Sequence, residues 1–186
     1  TGKHGIVTFC WHWRDPNKSG GDFYAEKIAF RIPMKDGKLN TASRDFKKIQ
    51  RDLDKVAAEL ATLRDQGVPI LWRPMHEAGG DPLYNNPWFW WGASGNNKTE
   101  RATAYKARYT YMHNYFTNEK ALDNLIWVWN SDGTDADWCP KTGAVRNCHR
   151  NRGKQGNGSY RGSHGKGNKG AYHKQYQHGK LSRYEG

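Results

Sequence analysis

Between Gly5 and Asn130 three apolar runs of strand length alternate with two stretches whose apolar residues recur at helical spacing. That alternation restricts the chain to a parallel α/β fold. Gly5 to Trp11 (Gly-Ile-Val-Thr-Phe-Cys-Trp) predicts a first buried strand, with Cys10 as a small core residue. Phe46, Ile49, Leu53, Val56, Leu60 and Leu63 recur at three and four, the stripe of an amphipathic helix of about six turns, and Gly67 closes it as a C-cap. Val68 to Trp72 follows at once as the second strand. Thr99 is the expected N-cap of a second helix, which buries Ala102, Tyr105, Tyr109, Met112 and Phe116 and ends in a turn at Asn118. Asn124 to Asn130 gives the third strand. The runs are continuously apolar, which implies parallel pairing with right-handed crossovers. Residues 14–40, with Pro16, Gly20, Gly21, Pro33 and Gly37, predict a long polar insertion with a short helical turn beside a site.

The strand ends carry the chemistry. No glycine-rich phosphate loop follows any strand, which argues against an open dinucleotide-binding sheet. Instead each run ends in aromatic or ionisable residues, and functional groups at several strand ends favour a slice of a (β/α)8 TIM barrel. A full barrel takes about 250 residues. The 186 residues here therefore supply a partial barrel of about three consecutive strands with their crossover helices.

The sharpest site signal is Pro69-Ile-Leu-Trp-Arg-Pro-Met-His-Glu, which puts one carboxylate, Glu77, at the mouth of a strand just before the aromatics Trp88, Phe89, Trp90 and Trp91. A carboxyl group beside flat apolar rings suits the cleavage of sugars, whose C–H faces pack on indoles. The competing structural role is an ion pair between Glu77 and Arg73. Two of the four aromatics are expected to face the core.

Charge divides the chain. Residues 141–186 hold eleven Lys or Arg, four His and ten Gly against one acid, Glu185, so they carry +10 of the formal net charge of +12. Residues 1–140 are close to neutral, which excludes reading the folded part as a basic nucleic-acid binder. The predicted organisation is a barrel segment over 1–140 and an irregular basic Gly/Lys/His-rich tail over 141–186. Cys10, Cys139 and Cys148 match no zinc pattern, the tail histidines lack paired helical spacing, and neither metal nor cofactor is expected. No apolar run approaches the roughly 18–20 residues of a membrane span, and Thr1 to Gly5 shows no hydrophobic leader.

Gly5-Ile-Val-Thr-Phe-Cys-Trp-His-Trp, Val68-Pro-Ile-Leu-Trp-Arg-Pro-Met-His-Glu-Ala-Gly-Gly, Trp88-Phe-Trp-Trp-Gly-Ala-Ser-Gly and Asn124-Leu-Ile-Trp-Val-Trp-Asn, in that order, resemble glycoside hydrolase family 26, known for endo-β-1,4-mannanases. The resemblance covers residues 1 to about 140 and implies that the three strands are the third, fourth and fifth of a barrel. It implies that Glu77 is the acid/base of a retaining mechanism, and that His76 binds substrate. It further implies sugar contacts from Trp11 and His12 at the third strand end, a stacking platform from Trp88 and Trp91, and substrate-binding roles for Arg73 and Asn130. The acid/base role calls for a carboxyl that keeps its proton, and an apolar strand end with neighbouring indoles disfavours the charged form. The implied partner is β-mannan or a related plant polysaccharide, with no nucleic acid, and the implied location is extracellular or cell-surface.

A retaining glycosidase needs a second carboxyl about 5–5.5 Å from the first, acting as nucleophile. The family takes that Glu from a seventh strand, and this chain departs from the family pattern after Asp137. Glu185 is its sole later carboxylate, with no strand before it. The alternative function is thus a non-catalytic carbohydrate-binding remnant using the Trp88 to Trp91 aromatics. For the tail three readings stand: a disordered extension, a change of coding frame near Asp137, or a basic arm for nucleic acid or anionic polysaccharide.

Overall fold

The computed structural model describes residues 7–80, 86–131 and 138. Strand β1 (Val7–Trp11) leads into a long loop containing the two-residue strands β2 (Met34–Lys35) and β3 (Lys38–Leu39). Then come α1 (Arg44–Asp65), β4 (Ile70–Pro74), a 3-10 turn (Trp90–Gly92), α2 (Lys98–Asn114) extended by a π-helical turn (Tyr115–Glu119), and β5 (Leu125–Trp127). The main sheet has the order β1-β4-β5 and both pairings are parallel, so the described part is α/β with a crossover helix between successive strands.

Helix α1 forms where the stripe predicts it. Ser43 accepts a hydrogen bond from the Phe46 amide at its start, and Phe46, Ile49, Leu53, Ala57 and Leu60 are its buried residues. Its end is a complete Schellman cap: the Gly67 amide donates to Arg64 O, the Val68 amide donates to Leu63 O, and Gly67 sits at φ +69°. This cap moves the second strand. The Val68 amide is committed to the helix and Pro69 has none to give, so pairing begins when the Ile70 amide donates to Asn124 O, and β4 runs 70–74 rather than 68–72.

Several expectations are corrected. The α2 N-cap is Asn97, whose side chain accepts from the Glu100 amide, not Thr99 two residues on. The helix does not turn at Asn118 but continues through the π-helical turn to Glu119. The third strand is confined to 125–127. Residues 14–40 are not simply polar: Ile28, Phe30 and Ile32 are buried, and the Ile32 amide donates to the buried Ser94 hydroxyl. Asp36 and Gly37 both have positive φ at the tip of the β2–β3 hairpin, the geometry an Asp-Gly pair favours.

The first strand is not buried, and Cys10 is exposed rather than a core residue. The reason lies in the sheet. Register places Val7, Ile70 and Leu125 in one row and Phe9, Trp72 and Trp127 in the next. On this face Ile70, Trp72, Pro74 and Leu125 are buried, and Trp72 packs near Phe116 of the π-helical turn. The opposite face carries Thr8, Leu71 and Ile126 in one row and Cys10 beside Arg73 in the next, and among these described residues it is the open side, with Ile126 53% exposed. Cys10 and Trp11 therefore point to different sides of the sheet.

Candidate active site at the strand ends

Past Pro74 the chain makes a tight turn in which Met75 and Glu77 both adopt left-handed φ, +49° and +53°. A non-glycine residue in that region costs on the order of 1–3 kcal/mol, so the surroundings must hold it. They do so from two sides. The Glu77 and Gly79 amides donate to Asn130 O and Ser131 O, each at 2.7 Å, fastening the turn to the segment after β5. From the other side Gly92 lies so close that a Cβ there would stand 2.0 Å from Ala78 O. The turn thus presents Glu77 with its side chain one-third exposed.

Arg73 is the hub. Its guanidinium donates to Asn130 Oδ1 at 2.6 Å and to Cys10 Sγ at 3.1 Å, and its Nη2 stands 3.6 Å from Glu77 Oε1. One cation therefore ties the ends of all three strands together beside the carboxylate. The ion pair weighed from sequence exists, but its length and partial exposure make it weak.

His76 turns inward and is 4% exposed, with its Nδ1 without a hydrogen-bond partner among the described residues. His12 meets it edge-on at 4.5 Å, and Phe89 lies 5.2 Å from the His76 ring. Burial first, then the neighbouring His12 and Arg73, lower the His76 pKa to about 4. It is therefore neutral in ordinary buffers. Desolvation among its neighbours, then Arg73 and Arg14, also lowers the pKa of the exposed His12.

Of the residues singled out from sequence, Glu77, Arg73, His76, His12 and Asn130 come together here. Trp11 does not. Its ring stacks on Trp13 at 4.1 Å and lies 6.1 Å from the buried Trp72, on the helix-covered side of the sheet. Strand alternation decides this, because Cys10 and His12 take the open side. Trp91 is wholly buried and donates its indole N–H to His76 O at 2.9 Å, so it supports the turn from beneath. Three of the four aromatics, Phe89, Trp90 and Trp91, face the core, one more than expected, and Trp88 at 40% exposure is the outward one.

Sequence reasoning missed Phe23 and Tyr24. Phe23 packs 5.1 Å from His12, and an isolated bridge joins Tyr24 to Phe89, with the Ala25 amide donating to Trp88 O. The signal available was Asp22 just before them, which caps the Phe23 and Tyr24 amides through its side chain. Among the described residues no cluster of three or more His, Cys, Asp or Glu is arranged to hold a metal ion, and no helix is long and apolar enough to cross a membrane.

The sequence pattern of glycosyl hydrolase family 26 matches residues 2–144. The chain is 34% identical over 162 residues to a mannan endo-1,4-beta-mannosidase of Thermothelomyces thermophilus, covering 83% of this chain and 30% of that protein. It is 38% identical over 130 residues to the mannan endo-1,4-beta-mannosidase of Bacillus subtilis strain 168, covering 69% of this chain and 33% of the relative. It thus spans about a third or less of the length of these curated relatives. Among solved structures it is similar to the Podospora anserina GH26-CBM35 β-(1,4)-mannanase, with a TM-score of 0.58 and 36% identity over 73% of this chain and 29% of that one. It is also similar to the β-mannanase from a symbiotic protist of the termite Reticulitermes speratus complexed with gluco-manno-oligosaccharide, with a TM-score of 0.53, 36% identity, and coverage of 73% and 39%.

Proposed function

Because this chain belongs to glycosyl hydrolase family 26, we propose that it is the acid/base-bearing segment of a retaining endo-β-1,4-mannanase. In this reading β1, β4 and β5 are the third, fourth and fifth strands of a (β/α)8 barrel, residues 1–140 are the barrel segment, and the partner is β-mannan or a related polysaccharide outside the cell. The basic tail, 141–186, lies outside the described residues, as does Glu185. The observation that carries the reading is the placement of Glu77: a partly exposed carboxyl at the end of a parallel strand, held in a left-handed turn beside Arg73 and the buried His76.

The chemistry assigned to Glu77 is proton transfer. The carboxyl donates its proton to the glycosidic oxygen as the sugar–oxygen bond breaks, and the resulting carboxylate later takes a proton from the attacking water. His76, neutral, hydrogen-bonds a sugar hydroxyl, with His12 and Asn130 at the margins of the same subsite and Trp88 as the outward indole against a pyranose face. The double displacement also requires a nucleophilic carboxyl on the other side of the anomeric carbon, about 5–5.5 Å from the first. No Glu at the end of β1, β4 or β5 other than Glu77 offers it, so we expect the chain to be hydrolytically incomplete unless a further segment supplies it.

The second reading is a carbohydrate-binding segment without hydrolysis, favoured by the exposure of Trp88 and Tyr24 beside the site. Reducing-sugar release from soluble β-1,4-mannan by the 186-residue chain, with Glu77→Gln alongside, separates the two. Release abolished by the substitution establishes a hydrolase. Retardation of the chain in a mannan-containing gel with no release, unaffected by Glu77→Gln, establishes a binder.

A further inference from the structure

Arg108 lies on the buried face of α2 and is 0% exposed, and none of its three guanidinium nitrogens meets a hydrogen-bond partner among the described residues. A buried cation without hydrogen bonds is costly unless something else offsets it. What it meets is the indole of Trp13: the guanidinium carbon stands 4.5 Å from that ring centroid and 6.0 Å from the ring of Tyr111. The other face of Trp13 is taken by Trp11, stacked at 4.1 Å and 15°. The edge of the same indole donates to Asp52 Oδ2 at 2.9 Å. A carboxylate accepting the indole N–H pushes electron density into the ring and strengthens its hold on a cation above it. The Trp13 indole thus meets the Arg108 cation at its face and the Asp52 carboxylate at its edge, and Arg51 pairs with the other oxygen of Asp52.

That unit sits directly beneath the site. Trp13 follows His12, and the two side chains meet different neighbours, His12 against His76 and Trp13 against Arg108. Trp13 O also accepts the Trp90 indole N–H at 2.7 Å, and the neighbouring Trp91 indole donates to His76 O. The segment that Arg108 clamps is thereby tied to Trp90, the neighbour of the Trp91 that holds His76 O.

We propose that Arg108 is a positioning residue: by stacking on Trp13 it fixes His12 against His76 and so shapes the sugar-facing wall from within the core. Burial lowers the Arg108 pKa to about 9, so the side chain remains a cation at neutral pH and the stack persists there. Lysine does not replace it, because a compact ammonium lacks the planar face that covers an indole.

The test uses the 186-residue chain carrying Arg108→Lys and, separately, Arg108→Met, following the ring C–H resonances of His12 and His76 by NMR titration alongside urea unfolding. The groups that face His12 are His76, Arg73 and Arg14, with Phe23 and Phe89 against its ring. Loosening Trp13 hydrates His12, so its midpoint rises by about 0.5 pH units or more in both variants. The Lys variant keeps the charge, so a shift there reports geometry. It also decides alone should the Met variant fail to fold. A His12 midpoint within about 0.1 units of the parent, with stability lowered, would overturn the proposal and leave Arg108 a packing residue. The service of this wall to a sugar rests on the reading above. Mannohexaose binding by the parent chain tests that part separately: absence of binding removes the mannanase reading, whereas the His12 titration still decides Arg108.

Discussion

The Arg73 guanidinium reaches from β4 across the sheet to donate a 2.6 Å hydrogen bond to Asn130 Oδ1 in the segment after β5. The same segment receives the Glu77 amide through Asn130 O. Arg73 therefore contributes through Asn130 more than through its long contact with Glu77. Arg73→Met leaves Asn130 Oδ1 unpaired and should cost about 1–3 kcal/mol. Asn130→Ala should cost a similar amount, and the double variant less than the sum, because both remove one interaction. Urea midpoints of the three variants check this; additive losses would mean that the bond does not hold the strand ends together.

His76 makes stability depend on pH in a defined window. Its folded pKa of about 4 lies below the 6.5 of an ordinary imidazole. Above pH 6.5 the imidazole is neutral in both states and the fold carries no penalty. As the pH falls below that, the unfolded chain takes up a proton that the folded chain refuses, so stability declines until about pH 4, where the folded state protonates too. The loss is on the order of 2–3 kcal/mol. Asp22 and Asp54, whose pKa values are lowered from 3.8, act below this window. His12, whose pKa is also lowered by burial, Arg73 and Arg14, adds to the same decline. Urea unfolding at pH 7 and pH 4.5 should show the decline, and His76→Gln should remove the larger part of it; an equal decline in the variant would assign the effect elsewhere.

Gly92 tests the turn that presents Glu77. An added Cβ would meet Ala78 O at 2.0 Å, and backbone cannot yield as a flexible side chain can. Gly92→Ala should cost about 3 kcal/mol or more and displace the Glu77 turn. A thermal midpoint near that of the parent would show that the two loops are not in close apposition.

How much of this was legible depends on which physical cause decides each element. The α1 stripe and the Gly67 cap were legible because helical spacing and a left-handed C-terminal residue are local rules, and the cap proved complete. That Glu77, Arg73, His76 and Asn130 come together was legible because they lie at the ends of apolar runs, and strand ends in parallel sheets converge. The orientation of Trp11 was not legible, since alternation gives two faces but only the helices decide which is covered. The same uncertainty misplaced Cys10. The Asp36-Gly37 hairpin carried a strong local signal that the surrounding polar residues hid. Arg108 was invisible: a charged residue in a helical stripe reads as surface, and only tertiary contact with Trp13 and Tyr111 explains its burial.

The neighbouring indoles Trp88 and Trp91 should part company on substitution. Trp91 is 0% exposed, and its N–H holds His76 O, so Trp91→Ala removes a large buried ring and a hydrogen bond and should cost about 3–5 kcal/mol. Trp88 is 40% exposed and contributes little buried area by comparison, so Trp88→Ala should leave the unfolding midpoint nearly unchanged, within about 0.5 kcal/mol. If Trp88 is the sugar-facing ring, the same change should weaken mannohexaose binding by roughly tenfold, the scale of one lost aromatic contact. Isothermal titration and urea unfolding of both variants together decide the matter. Unchanged affinity in Trp88→Ala would remove this ring from the subsite, whereas a stable Trp91→Ala would contradict its place in the core.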